Sequence, residues 1–201
     1  MAALITYEIT TQNFEKVRDR IAIIIAEEFA GQKAITGNEL FDAGVWIERS
    51  IPFDLPELPS INVMFAGANY DNTNALTSTG ANRYLIDVHS NAKDEENTNG
   101  DKLAILKLHK LIGVIRFIMQ SDEHYDFGFD PKIIQNNHKI ENTSIAKPSN
   151  IGDGYHNAIG RLTLNAKFNE SVAAGTGITI DEINSTFKID ETEKGFLVIQ
   201  N

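Results

Sequence analysis

Arg83-Tyr84-Leu85-Ile86-Asp87-Val88-His89, then Ser90 to Gly100, then Asp101-Lys102-Leu103-Ala104-Ile105-Leu106-Lys107-Leu108-His109-Lys110-Leu111-Ile112-Gly113-Val114-Ile115-Arg116-Phe117-Ile118-Met119 is the stretch that decides the fold. Its first seven residues alternate as a half-buried strand does, and the last nineteen carry apolar residues almost all the way round a helix. On the wheel, Ala104, Ile105, Leu108, Leu111, Ile112, Ile115, Ile118 and Met119 form one wide face. Leu103, Leu106, Val114 and Phe117 form a second, edged by Lys107 and Lys110, and only Lys102, His109 and Arg116 leave a polar stripe. The wide face is expected on the chain's own sheet. The second is expected against another helix of the chain or a neighbouring subunit.

Upstream, Phe14, Val17, Ile21, Ile24, Ile25 and Phe29 recur at helical spacing opposite Glu15, Lys16, Asp19, Arg20 and Glu27. The spacing predicts an amphipathic helix with Asn13 as N-cap and its stop at Gly31. Ile23 falls on its polar side, where a partner could cover it. Val45 to Ile51 reads as a strand, and Pro52, Pro56 and Pro59 break the connection to a second strand over Ile61 to Ala66. Gly67 to Gly80, rich in Asn, Thr, Ser and Gly, reads as a long loop or flexible hairpin tip.

Downstream, Ser121 to Asn137 is irregular, and Asp122 to Asp126 reads as a helix-end turn. Two further strands are expected over Lys139 to Ala146 and Ala158 to Phe168, with Asn150-Ile151-Gly152-Asp153-Gly154 as a hairpin tip. Ala173 to Gly177 resembles a small-residue linker, and Ile178 to Ile189 with Gly195 to Gln200 suggest a small β appendage. The expected fold is therefore α+β: a mixed, mostly antiparallel sheet packed by an N-terminal amphipathic helix and a long central helix. The expected division is a main domain over residues 1–170 and a small β extension over 171–201.

The 201 residues fit one ordinary domain with a real core. A formal net charge of −10 opposes broad, sequence-independent binding to phosphate backbones. The absence of cysteine removes disulfides, thiolate nucleophiles and Cys-ligated zinc. The first residues, Met-Ala-Ala-Leu-Ile-Thr-Tyr-Glu, show neither a basic n-region nor a long apolar run, so neither a signal peptide nor a membrane span is expected.

Sites of chemistry are sparse. Asp87 and His89 share a strand face and are the best metal-ligating pair, but no third ligand stands in register. A metal-dependent hydrolase would have to add a distant His138 or His156. The segment Asp122 to Asp126 lacks the loop length and final glutamate of a calcium hand. No serine sits in a Gly-flanked elbow, and Gly152-Asp153-Gly154 and Gly175-Thr176-Gly177 are too short for a phosphate cradle. Loop tyrosines Tyr70, Tyr125 and Tyr155 are the only hint of a small-molecule or carbohydrate module. No catalytic residue, metal or cofactor is expected. The acidic run Asp94-Glu95-Glu96 reads either as a solvated loop or as part of a negative ring formed by several copies.

The order of elements resembles that of tail terminator proteins of long-tailed bacteriophages. Val45 to Ile51, Ile61 to Phe65, Arg83 to His89, Asp101 to Met119 and Arg161 to Phe168 carry the resemblance, which covers roughly residues 1–170. It implies a non-enzymatic virion protein, made in the bacterial cytoplasm, whose copies form a ring, a hexamer in that family. The ring would cap the tail tube and join it to neck or connector proteins while DNA passes without specific binding and no membrane takes part. Asp94, Glu95, Glu96, Lys102, Leu103, Leu106, Lys110, Val114 and Phe117 are the candidate residues for a subunit interface or channel. Another neck, connector or baseplate protein is the nearest alternative.

Overall fold

The computed structural model describes residues 11–72, 77–130, 132–171, 187–192 and 195–200. Helix α1 (Asn13–Thr36) is followed by strands β1 (Gly44–Ile47), β2 (Ser60–Asn72) and β3 (Thr77–Lys93), then by helix α2 (Gly100–Gln120). Strands β4 (Ile134–Ile145), β5 (Ser149–Gly152) and β6 (Tyr155–Ser171) come next, then the hairpin of β7 (Phe187–Thr192) and β8 (Gly195–Gln200). The strands join one sheet in the order β4-β6-β3-β2-β1-β8-β7, with β5 also paired to β6. Only β1 and β2 run parallel. This is the α+β fold expected, a mixed and mostly antiparallel sheet with an N-terminal and a central helix. The C-terminal hairpin adds to the sheet at β1, through the pairs Val45 with Val198 and Trp46 with Leu197.

Both helices lie on one face. Tyr84 and Ser90 point the same way from β3, because alternate residues of a strand share a side. The Tyr84 hydroxyl donates to the Phe14 carbonyl of α1 at 3.0 Å, and the Ser90 hydroxyl to the Ala104 carbonyl of α2 at 2.8 Å. Between them Ile86 and Val88 meet the wide face of α2 and the apolar residues of α1 in a single core. Contact with the sheet is close enough that a Cβ on Gly160 of β6 would lie 2.4 Å from Ile112 Cδ1. A glycine is needed there because α2 occupies the space a side chain would fill.

The opposite face of the sheet is covered in part by the segment between β1 and β2. Strand β1 ends at Ile47, short of the expected Ile51, because Glu48 turns the backbone to φ 51°. Arg49 then enters the protein with its side chain fully buried between the rings of Trp46 and Phe53, 4.3 and 4.1 Å from their centroids. Its guanidinium donates to both Glu57 oxygens at 3.0 and 2.8 Å and to the carbonyls of Ile51 and Pro52. The pairing satisfies a cation that could not otherwise leave water.

Other boundaries also move, among them the start of β4, which lies at Ile134 inside the stretch expected to be irregular, because residues from Ile134 on pair with β6. Gln12, and not Asn13, is the N-cap of α1, and the Glu15 carboxylate accepts its N–H at 2.9 Å. The helix runs through Gly31 to Thr36 and stops at Gly37, whose left-handed φ of 65° lets its N–H reach the Lys33 carbonyl at 2.8 Å. A single mid-helix glycine costs only about 1 kcal/mol, too little to end a helix held by a core. Of the segment expected as a long loop or flexible hairpin tip over Gly67 to Gly80, residues 67–72 and 77–80 form the paired end of the β2–β3 hairpin, Gly67 with Arg83 and Tyr70 with Gly80, after a register shift between Phe65 and Gly67, while residues 73–76 lie outside the described residues. Its return strand pairs on its other side with β6 as well, Thr79 with Asn169, so ladder bonds on both edges outweigh the turn propensity of Asn, Thr and Ser. The expected linker Ala173 to Gly177, and Ile178 to Thr186, lie outside the described residues.

Candidate assembly surface along the central helix

Helix α2 is built as the wheel predicts. Ala104, Leu108, Leu111, Ile112, Ile115, Ile118 and Met119 are buried, and Ile105 is half-buried. The second face is not covered: Leu106 is 54% and Phe117 78% exposed. Leu103 and Val114, at the edge of that face, are half-buried against the core. Helix α1 approaches α2 from this side and leaves a groove between them. One part of it, about 580 Å³, is lined by Glu28 and Gln32 of α1 and by Lys110, Gly113, Val114 and Phe117 of α2, and is closed at one end by His124. A second, about 430 Å³, lies between the Asn38-Glu39-Leu40 segment and Leu106, Lys107 and Lys110. Lys110 borders both, so they follow the same stretch of α2.

The two walls carry opposite charge. Helix α2 contributes Lys107 and Lys110, while α1 and the turn after it contribute Glu28 and Glu39, with Glu123 at the far end. His124 Nε2 lies 2.8 Å from Glu28 Oε1 and ties the turn after α2 to α1. Ile35, 78% exposed, stands one heptad after Glu28 on the same stripe of α1. The three most exposed large apolar side chains among the described residues, Ile35, Leu106 and Phe117, thus lie on the two helices that border one groove. Exposed apolar side chains beside a mixed-charge groove are features that protein-contact surfaces share.

The candidate residues divide into two groups. Leu106, Lys110, Val114 and Phe117 come together along the groove. Asp94, Glu95, Glu96, Lys102 and Leu103 gather at the opposite end of α2, around its first turn. Asp94 there is structural: its carboxylate accepts the Gly100 N–H at 2.7 Å and lies 3.2 Å from His156 Nε2. The bond from Gly100 holds the Asp94 carboxyl below the usual aspartate range, and His156 adds to the effect. The Asp94 N–H also donates to the Gly154 carbonyl at 2.8 Å, so this residue joins the β5–β6 hairpin tip to the start of α2. Glu95 and Glu96 are exposed in a turn closed by backbone bonds between Glu95 and Thr98. Residues of α1 and of the turns, Glu28, Gln32, Ile35 and Glu39, escape the sequence reading, since no local pattern reveals which stripe of one helix faces another.

Residues of the metal reading are held apart. Both Asp87 oxygens accept from Arg161, Nε at 2.6 Å and Nη2 at 2.7 Å, in a two-pronged pair. His89 sits edge-on to Phe53 at 4.9 Å, and burial lowers its pKa. His138 and His156 pair with Ala166 and Ala92, on the helix-bearing side of the sheet, whereas Asp87 and His89 are on the other. The His138 ring stacks on Phe127 at 4.1 Å and bonds to the Met119 carbonyl, and burial lowers its pKa too. No group of three or more metal-ligating side chains occurs among the described residues. The tyrosines are scattered: Tyr70 lies over Gly80, while Tyr125 and Tyr155 lie under Lys132 and Lys93. No helix among the described residues is long and apolar enough to cross a membrane. Comparison with protein-family models and with curated proteins yields no match for this chain.

Proposed function

We propose that this chain is a structural virion subunit, a tail terminator or tail completion protein whose copies form a ring between tail tube and neck. The observation that carries the reading is the open side of α2, where Leu106 and Phe117 are exposed beside a groove that the described residues leave unfilled. Apolar side chains concentrated in this way mark contact with another protein. The order helix, three strands, helix and closing hairpin, on which the resemblance rests, adds support. The net charge of −10 suits a conduit through which DNA must slide, because like charge prevents adhesion to phosphate. Electron microscopy of the purified protein, alone and with isolated tail tubes, tests the proposal. Rings that cap tube ends are expected, and a monomer at high concentration that leaves tubes uncapped would refute it.

A further inference from the structure

Asn99-Gly100 is the only Asn-Gly dipeptide in the chain, and the fold requires its glycine. A Cβ on Gly100 would lie 2.8 Å from His156 Cδ2 and 2.9 Å from backbone atoms of Lys93 and Asp94. Because Gly100 has no side chain, nothing on it shields its nitrogen from the side chain of Asn99. Asn99 is exposed, and although it is the N-cap residue of α2 its carboxamide makes no capping bond. Asp94 supplies that bond instead, its carboxylate accepting the Gly100 N–H at 2.7 Å. The other side of the same peptide bond is held as well, since the Asn99 carbonyl accepts the Leu103 N–H at 3.3 Å.

We propose that Asn99 is a site of spontaneous deamidation, and that the Asp94–Gly100 bond is the latch that governs its rate. In this reaction the Gly100 nitrogen attacks Asn99 Cγ and forms a new C–N bond. The Cγ–Nδ2 bond breaks, and ammonia leaves with the proton that the Gly100 nitrogen gives up. Water then opens the succinimide ring at one carbonyl to give aspartate, or at the other to give isoaspartate, whose backbone is longer by one methylene. With ψ of Asn99 at 135°, the Gly100 nitrogen is turned aside from the Asn99 side chain, so the peptide plane must rotate before the ring can close. That rotation breaks the bonds to Asp94 and Leu103. The folded chain therefore reacts through the fraction of molecules in which the first turn of α2 has opened. The position gives the product its effect. Aspartate adds a charge beside Asp94, Glu95, Glu96 and Asp101, and isoaspartate shifts Gly100 away from Asp94, which loosens the link between the β5–β6 hairpin tip and α2.

Peptide mapping by mass spectrometry tests this on the full chain held in mildly alkaline buffer, with aspartate and isoaspartate products separated by chromatography. The samples are the folded parent, the parent unfolded in urea, Asp94→Ala and Asp94→Asn. In urea Asn99 is expected to react before any other asparagine, and in the folded parent more slowly than in urea. Asp94→Ala should speed the folded reaction about 2- to 30-fold, the factor by which loss of a cap weakens a helix start. Asp94→Asn keeps an acceptor oxygen and should fall between. Asn97 and Asn142, each followed by threonine, should keep their parental rates, which separates release of the latch from general unfolding. Asn99 that stays intact in both the folded parent and Asp94→Ala, while it converts in urea, would overturn the site. An Asp94→Ala rate no higher than the parent's, or an equal rise at Asn142, would overturn the latch.

Discussion

The two helices differ in how far the rest of the fold encloses them. Helix α1 looks amphipathic, yet every residue from Ile21 to Ala26 is buried, including Ile23 on its supposed solvent side. Helix α2 is apolar almost all round, yet one side of it stands open, with Phe117 78% exposed. The difference comes from what surrounds them. Strands β1, β2 and β6, the C-terminal hairpin and α2 all touch α1, whereas α2 meets β3, β4 and β6 on one side only. Hydrophobicity that the chain itself covers reports on the core. Hydrophobicity that the described residues leave uncovered is what the functional proposal rests on, and most of it lies on α2.

The sharpest test of this contrast truncates one residue on each helix. Ile24→Ala in α1 should cost about 2–5 kcal/mol, as removal of a fully buried aliphatic side chain does. Leu106→Ala in α2 should change monomer stability by less than about 0.5 kcal/mol. Urea unfolding of both under monomeric conditions measures the difference, and equal losses would erase the distinction between the helices.

The covered side of α2 should respond in the opposite way to its open side. Gly160→Val drives a side chain into Ile112 and should cost about 1–3 kcal/mol by overpacking, read as a lower urea midpoint with unchanged slope. Next in size is the anchor of α1. The Glu170 carboxylate, largely buried, accepts the N–H groups of Asn13 at 3.1 Å and Phe14 at 2.7 Å. Glu170→Ala leaves them without that acceptor and should cost about 0.5–2 kcal/mol, with faster amide exchange at the first turn of α1. The smallest effect has the other sign: Gly113→Ala should stabilise the monomer by about 0.5–1 kcal/mol, because the site is open and alanine is the better helix former. A destabilised Gly113→Ala would mean that the glycine serves the fold itself.

Much of this was legible in the residues. The wide face of α2 packs on the sheet residue by residue as its period predicts, and the Asp153-Gly154 turn forms the β5–β6 hairpin, with both residues at positive φ. What misled was local propensity under long-range pairing. Residues 67–72 and 77–80 carry turn-forming residues, but pairing within the β2–β3 hairpin, and with β6 on the far side of Thr79, holds them extended. Asp94 reads as a solvated acid, but the hairpin tip and Gly100 make it a link between two elements distant in sequence.

The sequence by itself determined the fold class, the order of elements and the existence of an apolar face on α2 in excess of what one sheet can cover, because side-chain periodicity is a local property. Only the tertiary structure decided which helix would be enclosed, that Asp87 would be taken by Arg161, and that Glu28 and Glu39 would stand across a groove from Phe117 and Leu106. Those are relations between elements far apart along the chain, fixed by packing and by strand order, and no periodicity within a single segment encodes them.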